Sequence, residues 1–220
     1  MQKEIIGNAL LYCGSFLDIE YRAAFVVDHG IDFIVADPPY GISFKKNKDN
    51  KKIPSAFFGE AVVGDDVPFN PSHLLALGLP MILWGANHYA QTLPPSASWI
   101  AWDKRSASHH SNDFSDCELA WTNLKGPARM FRHNWDGFAR DSERGIPRLH
   151  PTQKPVAAME FCISMKPEST CILDAYMGSG TTAIAALKMS KRFVGFEITQ
   201  KYFDISCKRI EEHLAQTVLF

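Results

Sequence analysis

The feature that most constrains the fold is a strand-like run that stops at two prolines. Residues 32–36 are apolar after the first position and have the length of a buried parallel strand. The sequence continues Asp37-Pro38-Pro39-Tyr40, and neither proline can extend a central strand because each lacks an N–H and has a fixed φ. The chain must therefore leave the sheet at Asp37, at the carboxyl end of the strand. Ligands bind at that end in open α/β sheets.

Residues 37–40 bring three chemical groups together: a carboxylate, bare backbone carbonyls and an aromatic face. An exocyclic amine on a flat ring suits them, since Asp37 and the Pro38 carbonyl can accept its hydrogens while Tyr40 stacks on the ring. The alternative is a rigid turn with a capping Asp. A four-residue match does not separate the two interpretations, so the rest of the chain must decide.

Short apolar runs alternate with helix-like segments along the chain. The predicted strands are residues 9–13, 32–36, 81–84, 99–102, 118–121, 171–174 and 192–196, and the predicted helices are 17–27, 71–78, 156–165, 183–189 and 201–214. This alternation predicts an α/β fold with a doubly wound, mostly parallel, seven-stranded, Rossmann-like sheet. We expect residues 118–121 to form an antiparallel strand at the sheet edge.

The composition indicates a globular chain with no general preference for nucleic acid. Apolar residues make up 46% of the 220 positions, and the formal net charge is −1, so any DNA-binding surface must be a local patch. The five cysteines are scattered without a Cys-x-x-Cys pair, so we expect neither a disulfide framework nor a metal site. There is no signal-peptide core and no apolar run of about 18 residues. We expect a single soluble, cytoplasmic domain over residues 1–220 with no membrane partner.

A second motif follows the predicted strand at residues 171–174. Gly178 and Gly180 precede a predicted helix, so a ligand can approach the backbone at the helix N-terminus. Glu197 ends the next strand, where an acid can hold ribose hydroxyls. The chain has no Gly-Lys-Ser/Thr sequence and only an incomplete Gly-x-Gly-x-x-Gly pattern. A nucleoside cofactor without phosphates, S-adenosyl-L-methionine, therefore fits better than a nucleotide.

Four motifs now stand in one order along the chain: Asp-Pro-Pro-Tyr-Gly-Ile at 37–42, His-Pro-Thr-Gln-Lys-Pro at 150–155, Leu-Asp-Ala-Tyr-Met-Gly-Ser-Gly-Thr-Thr at 173–182 and Phe-Val-Gly-Phe-Glu-Ile at 193–198. Together they resemble the DNA amino-methyltransferases, which act on adenine N6 or cytosine N4. The order is that of the permuted (β) class, in which the catalytic motif precedes the cofactor motif. The resemblance extends from about residue 9 to residue 212.

The resemblance implies a role for each matching residue. The implied catalytic residues are Asp37, Pro38, Pro39 and Tyr40. The implied cofactor-binding residues are Ser15, Asp37, Thr152, Lys154, Asp174, Tyr176, Gly178, Gly180, Thr181 and Glu197. Two of these depart from the family pattern: Ser15 stands where an Asp usually contacts the adenine of the cofactor, and Tyr176 stands where Phe is usual.

Two long irregular segments are the predicted DNA contacts. Residues 41–69 are expected to form a flexible loop beside the catalytic motif, and residues 125–150 a short target-recognition segment. Their basic residues include Lys45, Lys46, Lys48, Arg129, Arg132 and Arg140. Basic side chains interleaved with Phe131, Trp135 and Phe138 suit phosphate contact and stacking, although ordinary solvated loops are the alternative. Family members with long recognition sites carry a larger insert here, which implies a short site, loose specificity or help from a second subunit.

The sequence thus predicts a site-specific DNA methyltransferase that acts on N6 of a flipped-out adenine. Adenine is preferred over cytosine N4 because Asp precedes Pro-Pro-Tyr. An RNA or protein-amide methyltransferase and a catalytically silent DNA-binding protein stay open as alternatives. Further partner hypotheses are a homodimer and a cognate restriction endonuclease of a restriction-modification system.

Overall fold

The computed structural model describes residues 1–43, 62–105, 115–136 and 139–217. Its strands are β1 (Gln2–Ile6), β2 (Ala9–Cys13), β3 (Phe33–Ala36), β4 (Met81–Trp84), β5 (Trp99–Asp103), β6 (Cys117–Thr122), β7 (Arg129–Arg132), β8 (Trp135–Asp136), β9 (Ala139–Arg140), β10 (Cys171–Asp174) and β11 (Arg192–Glu197). Its α-helices are α1 (Arg22–Asp28), α2 (Ser72–Leu75), α3 (Val156–Ser164), α4 (Thr181–Lys188) and α5 (Gln200–Thr217). Among these residues, no helix combines the length and apolar character needed to cross a membrane.

Within the described ranges, nine strands form one mixed sheet in the order β1-β2-β11-β10-β3-β4-β6-β5-β7, and β8 and β9 form a separate hairpin. The five strands from β2 to β4 in that order are mutually parallel. Strands β10 and β11 come from the end of the chain but lie between β2 and β3. The carboxyl ends of β3 and β10 therefore meet at one edge of the sheet.

Helices cover both faces of the sheet, so β3 is buried on both sides. Phe33 packs on one face in a core that includes residues of α3, α4 and α5. Ile34 packs on the other face with Val26 of α1 and Leu74 of α2. This alternation within a continuous apolar strand is what a doubly wound sheet requires.

The predicted α/β class is confirmed, and two details of the prediction are wrong. In the described part of the chain the sheet has nine strands instead of seven. The prediction missed β1 and β7, which are largely exposed edge strands without a buried apolar pattern. The strand at 118–121 is antiparallel as predicted, but it is not at the edge: β6 pairs with β4 on one side and with β5 on the other. The parallel pairing of β7 with β5 makes β7 the edge.

We expect Asp32→Ala to destabilise the central sheet. The Asp32 carboxylate accepts hydrogen bonds from the Thr170 N–H and hydroxyl, both at 2.8 Å, and from the Cys171 N–H at 3.1 Å. Losing this acceptor where β3 and β10 begin should lower the free energy of unfolding by about 1–3 kcal/mol. Chemical denaturation is the measurement, with the exposed Asp28→Ala as the matched control. A loss no larger than that of the control would contradict the prediction.

Candidate active site

Asp37 lies at the carboxyl end of β3 and is held through one oxygen. Its Oδ1 accepts hydrogen bonds from the Tyr40 hydroxyl and from Lys154 Nζ, both at 2.6 Å. Lys154 Nζ also donates to the Tyr40 hydroxyl oxygen at 2.8 Å. Oδ2 accepts no hydrogen bond from the part of the chain that the structure describes. The carboxylate is therefore fixed in orientation with one oxygen left for a ligand.

Lys154 links Asp37 to a second acid that the sequence analysis missed. Its Nζ lies 3.2 Å from Glu118 Oε2, and Glu118 Oε1 lies 3.1 Å from Lys104 Nζ. Glu118 belongs to β6, and the only sign of it in the sequence is a lone acid in an apolar run. Acidic and basic groups therefore alternate from Asp37 outward to Lys104.

Burial and charge pull the pKa values of this chain of groups in opposite directions. Desolvation lowers the pKa of Lys154, but the two carboxylates beside it outweigh that effect and raise it above its ordinary value. Desolvation raises the pKa of Glu118, but Lys154 and Lys104 outweigh it and bring that pKa to about 2. Burial raises the pKa of Asp37 even though Lys154 and Tyr40 act against the change.

Tyr40 is seated by a glycine and a histidine that follow β4. Gly85 has φ +67°, and a Cβ there would lie 2.0 Å from Cε1 of Tyr40, so the backbone passes too close for any side chain. The exposed His88 ring stacks on Tyr40 with ring centroids 5.2 Å apart and an interplanar angle of 14°. The Tyr40 ring is thus part of a flat stack with His88.

Asp65 fixes the backbone that follows the Asp-Pro-Pro-Tyr motif. Its Oδ1 accepts the N–H groups of Tyr40, Gly41 and Ile42 at 2.9, 2.9 and 3.3 Å. Gly41 has φ +78°, and a Cβ there would meet the Val67 carbonyl oxygen at 2.5 Å. Asp65 therefore acts as the anchor of a tight turn, a role that only the folded chain reveals.

Asp174 organises the second motif at the end of β10. Its carboxylate accepts the Thr182 hydroxyl at 2.6 Å and the Tyr176 N–H at 2.9 Å. Burial raises the pKa of this carboxyl to about 7. Gly180, with φ +80°, is the N-cap residue of α4. The motif is thus a rigid turn built around a buried acid.

Glu197 and Ser15 support neighbouring turns. Glu197 accepts the N–H of Gly178 at 3.0 Å and of Thr199 at 2.8 Å, and burial raises its pKa. The Ser15 hydroxyl accepts the Leu17 N–H at 3.1 Å as the cap of a short 3₁₀ helix. Both side chains are therefore engaged by backbone N–H groups.

Tyr176 makes use of the hydroxyl that distinguishes it from the usual phenylalanine. His73 Nδ1 donates to the Asn70 carbonyl at 3.1 Å, which leaves Nε2 to accept the Tyr176 hydroxyl at 2.9 Å. Burial lowers the pKa of His73 and raises that of Tyr176. The pair is therefore neutral and fixes the ring of Tyr176.

One pocket joins the two motifs. It is lined by Asp37, His150, Thr152, Gln153, Lys154, Met159, Asp174, Tyr176, Met177, Gly178, Ser179, Thr181 and Thr182. The lining includes most of the predicted cofactor residues and the predicted catalytic carboxylate. The fold thus brings together, across one pocket, residues separated by more than a hundred positions in the sequence.

The predicted DNA contacts are dispersed. Arg129 and Arg132 are exposed on the edge strand β7. Arg140 instead lies over the buried Trp135 ring, 4.8 Å from its centroid, and donates to the Ile146 carbonyl at 2.9 Å. Trp135 therefore offers no exposed stacking surface. Lys45, Lys46, Lys48 and Phe138 lie outside the described residues.

Glu143 connects the 125–150 segment to the pocket. Its carboxylate accepts the Val156 N–H at 3.0 Å and pairs with Arg209 of α5 at 3.1 Å. Arg209 also donates to the Ser179 carbonyl at 3.2 Å and to the Thr181 hydroxyl at 3.0 Å. The segment and the glycine turn therefore share one anchor.

A doubly wound sheet with a carboxylate cluster and a glycine turn at one edge defines a class of Rossmann-like, ligand-binding α/β protein. Within that class, the sequence model of the N6/N4 DNA methylases matches residues 81–208, more than half of the chain. The chain therefore belongs to the N6/N4 DNA methyltransferase family.

Three curated relatives extend the comparison. The protein YubD of Escherichia coli (strain K12) is 36% identical over 210 residues, covering 83% of this chain and 82% of YubD. The type II methyltransferase M2.DpnII of Streptococcus pneumoniae is 29% identical over 114 residues, 51% of this chain. The chain spans 40% of the length of M2.DpnII and 32% of that of M2.LlaDCHI, a type II methyltransferase of Lactococcus lactis subsp. cremoris.

Solved structures share the fold. The M1.HpyAVI–SAM complex superposes with a TM-score of 0.52 at 22% identity, covering 91% of this chain and 99% of that one. The cytosine-N4-specific PvuII DNA methyltransferase superposes with a TM-score of 0.56 at 14% identity, covering 96% of this chain and 92% of that one. At these identities the likeness concerns the fold alone.

The raised pKa of Asp174 predicts a pH-dependent contribution to stability. An Asp in the unfolded chain titrates near pH 4, whereas Asp174 in the fold titrates at about 7. Between these values the folded state holds a proton that the unfolded state has lost, so this group destabilises the fold as pH rises. The destabilisation caused by Asp174→Asn should therefore shrink from pH 5 to pH 8, by at most about 1.4 kcal/mol per pH unit between the two pKa values.

Urea denaturation of both proteins at several pH values measures this difference, because the contributions of other groups cancel between variant and parent. A destabilisation that is constant or grows with pH would count against a protonated Asp174 in the fold.

Proposed function

We propose that this protein is a site-specific DNA methyltransferase that transfers a methyl group from S-adenosyl-L-methionine to the exocyclic N6 of a flipped-out adenine. The observation that carries the proposal is how the Asp37 carboxylate is hydrogen-bonded and where it lies. Its Oδ1 is occupied by Lys154 and Tyr40, and it lines the pocket that it shares with Asp174 and the glycine turn. Oδ2 is thus left to accept a hydrogen from an amine in that pocket.

The acidity of the site suits this cofactor. Asp37, Asp174 and Glu197 gather where the parallel strands end, and they offer acceptor oxygens where the phosphates of a nucleotide would need donors. A sulfonium and an ammonium are positive, and ribose hydroxyls donate hydrogen bonds to carboxylates. The donor set therefore fits S-adenosyl-L-methionine, which supplies an activated methyl group when bound.

Individual residues can be assigned to parts of the cofactor. Asp174, Tyr176, Gly178, Gly180 and Thr181 would surround the methionine portion, with Thr152 and Lys154 beside it. Glu197 would exchange a backbone N–H for the ribose hydroxyls. Ser15 would lie near the cofactor's adenine, where its hydroxyl is a weaker acceptor than the usual carboxylate.

The catalytic groups act by position. The lone pair of an exocyclic amine is delocalised into its ring, so the amine is a poor nucleophile. Hydrogen bonds from the amine to Asp37 Oδ2 and to the Pro38 carbonyl would draw the nitrogen toward sp³ and aim its lone pair at the methyl group. Holding the two reactants in this geometry accounts for most of the rate enhancement. Pro39 contributes by stiffening the turn.

Tyr40 provides the surface for the base. A base inside a duplex cannot reach this pocket, so the nucleotide must flip out at a cost of a few kcal/mol. Stacking on Tyr40 offsets part of that cost. The hydroxyl of Tyr40 is bound to Asp37 and its backbone to Asp65, so the ring is ordered before the base arrives.

Adenine is our preferred target because Asp precedes Pro-Pro-Tyr. Cytosine N4 is the second candidate, since cytosine offers the same amine beside a ring nitrogen, and the PvuII enzyme named for that specificity shares the fold.

Exposed Arg129 and Arg132 are proposed phosphate contacts, together with Lys45, Lys46 and Lys48. Arg140 is a weaker proposal because its guanidinium already serves Ile146 and Trp135. A homodimer and a cognate restriction endonuclease are proposed partners.

The first experiment is methyl transfer from labelled S-adenosyl-L-methionine to unmethylated DNA, followed by separation of the product nucleosides. We expect N6-methyladenine. Asp37→Ala should lower the rate by roughly 100-fold or more, because it removes the acceptor that orients the amine. The exposed Asp28→Ala is the control and should retain the parent rate.

The products distinguish the alternatives. Formation of N4-methylcytosine would mean that the mechanism stands and that the target base is cytosine instead of adenine. Label in RNA or protein but not in DNA would overturn the DNA substrate. No cofactor binding and no transfer to any of these would favour a catalytically silent DNA-binding protein.

A further inference from the structure

Lys154 uses every donor that it has. An ammonium offers three N–H groups, and Nζ of Lys154 lies 2.6 Å from Asp37 Oδ1, 2.8 Å from the Tyr40 hydroxyl and 3.2 Å from Glu118 Oε2. With only 4% of its side chain exposed, it has little access to water. Its position is therefore defined by these three partners together, and only Glu118 lies outside the Asp-Pro-Pro-Tyr motif.

Glu118 reaches Lys154 from a rigid part of the fold. It lies on β6, an interior strand, where it is the register partner of Trp102 on β5. Its other oxygen is held by Lys104 at 3.1 Å. The Trp84 ring, 5.4 Å from Nζ, packs beside the same ammonium. Glu118 is thus a fixed point from which the lysine can be aimed.

We propose that Glu118 is a positioning residue for the methyl-transfer reaction. It holds the ammonium of Lys154 so that Lys154 occupies Oδ1 of Asp37 and leaves Oδ2 for the target amine. The inference rests on the proposed function and adds to it a residue outside the four motifs.

The charges explain why a second carboxylate is needed. Asp37 alone would share its negative charge between Lys154 and the incoming amine, whereas Glu118 supplies Lys154 with a counter-charge of its own. Both carboxylates raise the pKa of Lys154. The other titratable groups around the cluster are the Tyr40 and Tyr89 hydroxyls, the Cys162 thiol, Asp174 and Lys104. Removing Glu118 should therefore lower the pKa at which Lys154 loses its proton.

The test compares Glu118→Gln with the parent in methyl transfer to DNA from pH 6 to pH 10. We expect kcat at pH 8 to fall roughly 10- to 100-fold and the alkaline decline of kcat to begin at a lower pH. The dissociation constant of S-adenosyl-L-methionine should stay within about twofold. Glu118→Asp, which keeps the charge, should recover part of the rate and restore the alkaline limb. Glu168→Gln, which removes a carboxylate from an exposed pair with Lys166 at 2.7 Å, is the matched control.

A double variant checks that Glu118 acts through Lys154. On a Lys154→Met background, Glu118→Gln should change kcat less than about threefold, because the ammonium that it positions is gone. If the two substitutions instead lower kcat independently, so that their factors multiply in the double variant, Glu118 does not act through Lys154.

Three other outcomes would also overturn the inference. An unchanged kcat and alkaline limb in Glu118→Gln would refute it while the proposed function stands. If Glu118→Gln lowers kcat by the same factor at every pH, and the fraction of protein that binds S-adenosyl-L-methionine falls by that factor too, the role of Glu118 is purely structural. If the parent protein itself transfers no methyl group to DNA, the proposed function falls and the inference falls with it.

Discussion

The parallel pairing of β3 with β10 determines the geometry of the whole site. Leu173 lies opposite Ile34 in this register, so the two strands end side by side. Asp37 follows one strand and Asp174 ends the other, and one pocket touches both. Because β10 comes late in the chain and inserts between β11 and β3, the two acidic turns are assembled only when the last third of the chain has folded onto the first.

That arrangement concentrates negative charge, and the fold responds differently at each acid. Burial raises the pKa of all three acids, but Asp37 is bound by a buried lysine, whereas Asp174 and Glu197 accept hydrogen bonds from hydroxyl and N–H groups. Among the described residues, only Asp37 of these three acids is thus paired with a full positive charge. This asymmetry supports a catalytic role for Asp37 and a binding role for the other two.

The sequence predicted the fold class and most of the pocket, because both depend on local signals. Two prolines follow β3, two glycines precede α4, and the motifs that contain them carry recognisable chemistry. The analysis failed where pairing across the fold decides the outcome. Glu118, Asp65 and His73 have ordinary local contexts, and each gains its role only from partners at least 23 residues away. The edge strands β1 and β7 were missed because exposure removes the apolar pattern on which strand prediction rests.

The ion pair between Glu143 and Arg209 connects the predicted target-recognition segment, residues 125–150, to the glycine turn. Glu143 belongs to the segment between β9 and α3. Arg209 donates hydrogen bonds to Ser179 and Thr181 in the glycine turn. A graft that exchanges the whole segment would also remove a brace of the glycine turn. If exchanges in this predicted recognition segment stop before Glu143, the acid stays with the scaffold and the brace of the glycine turn is kept.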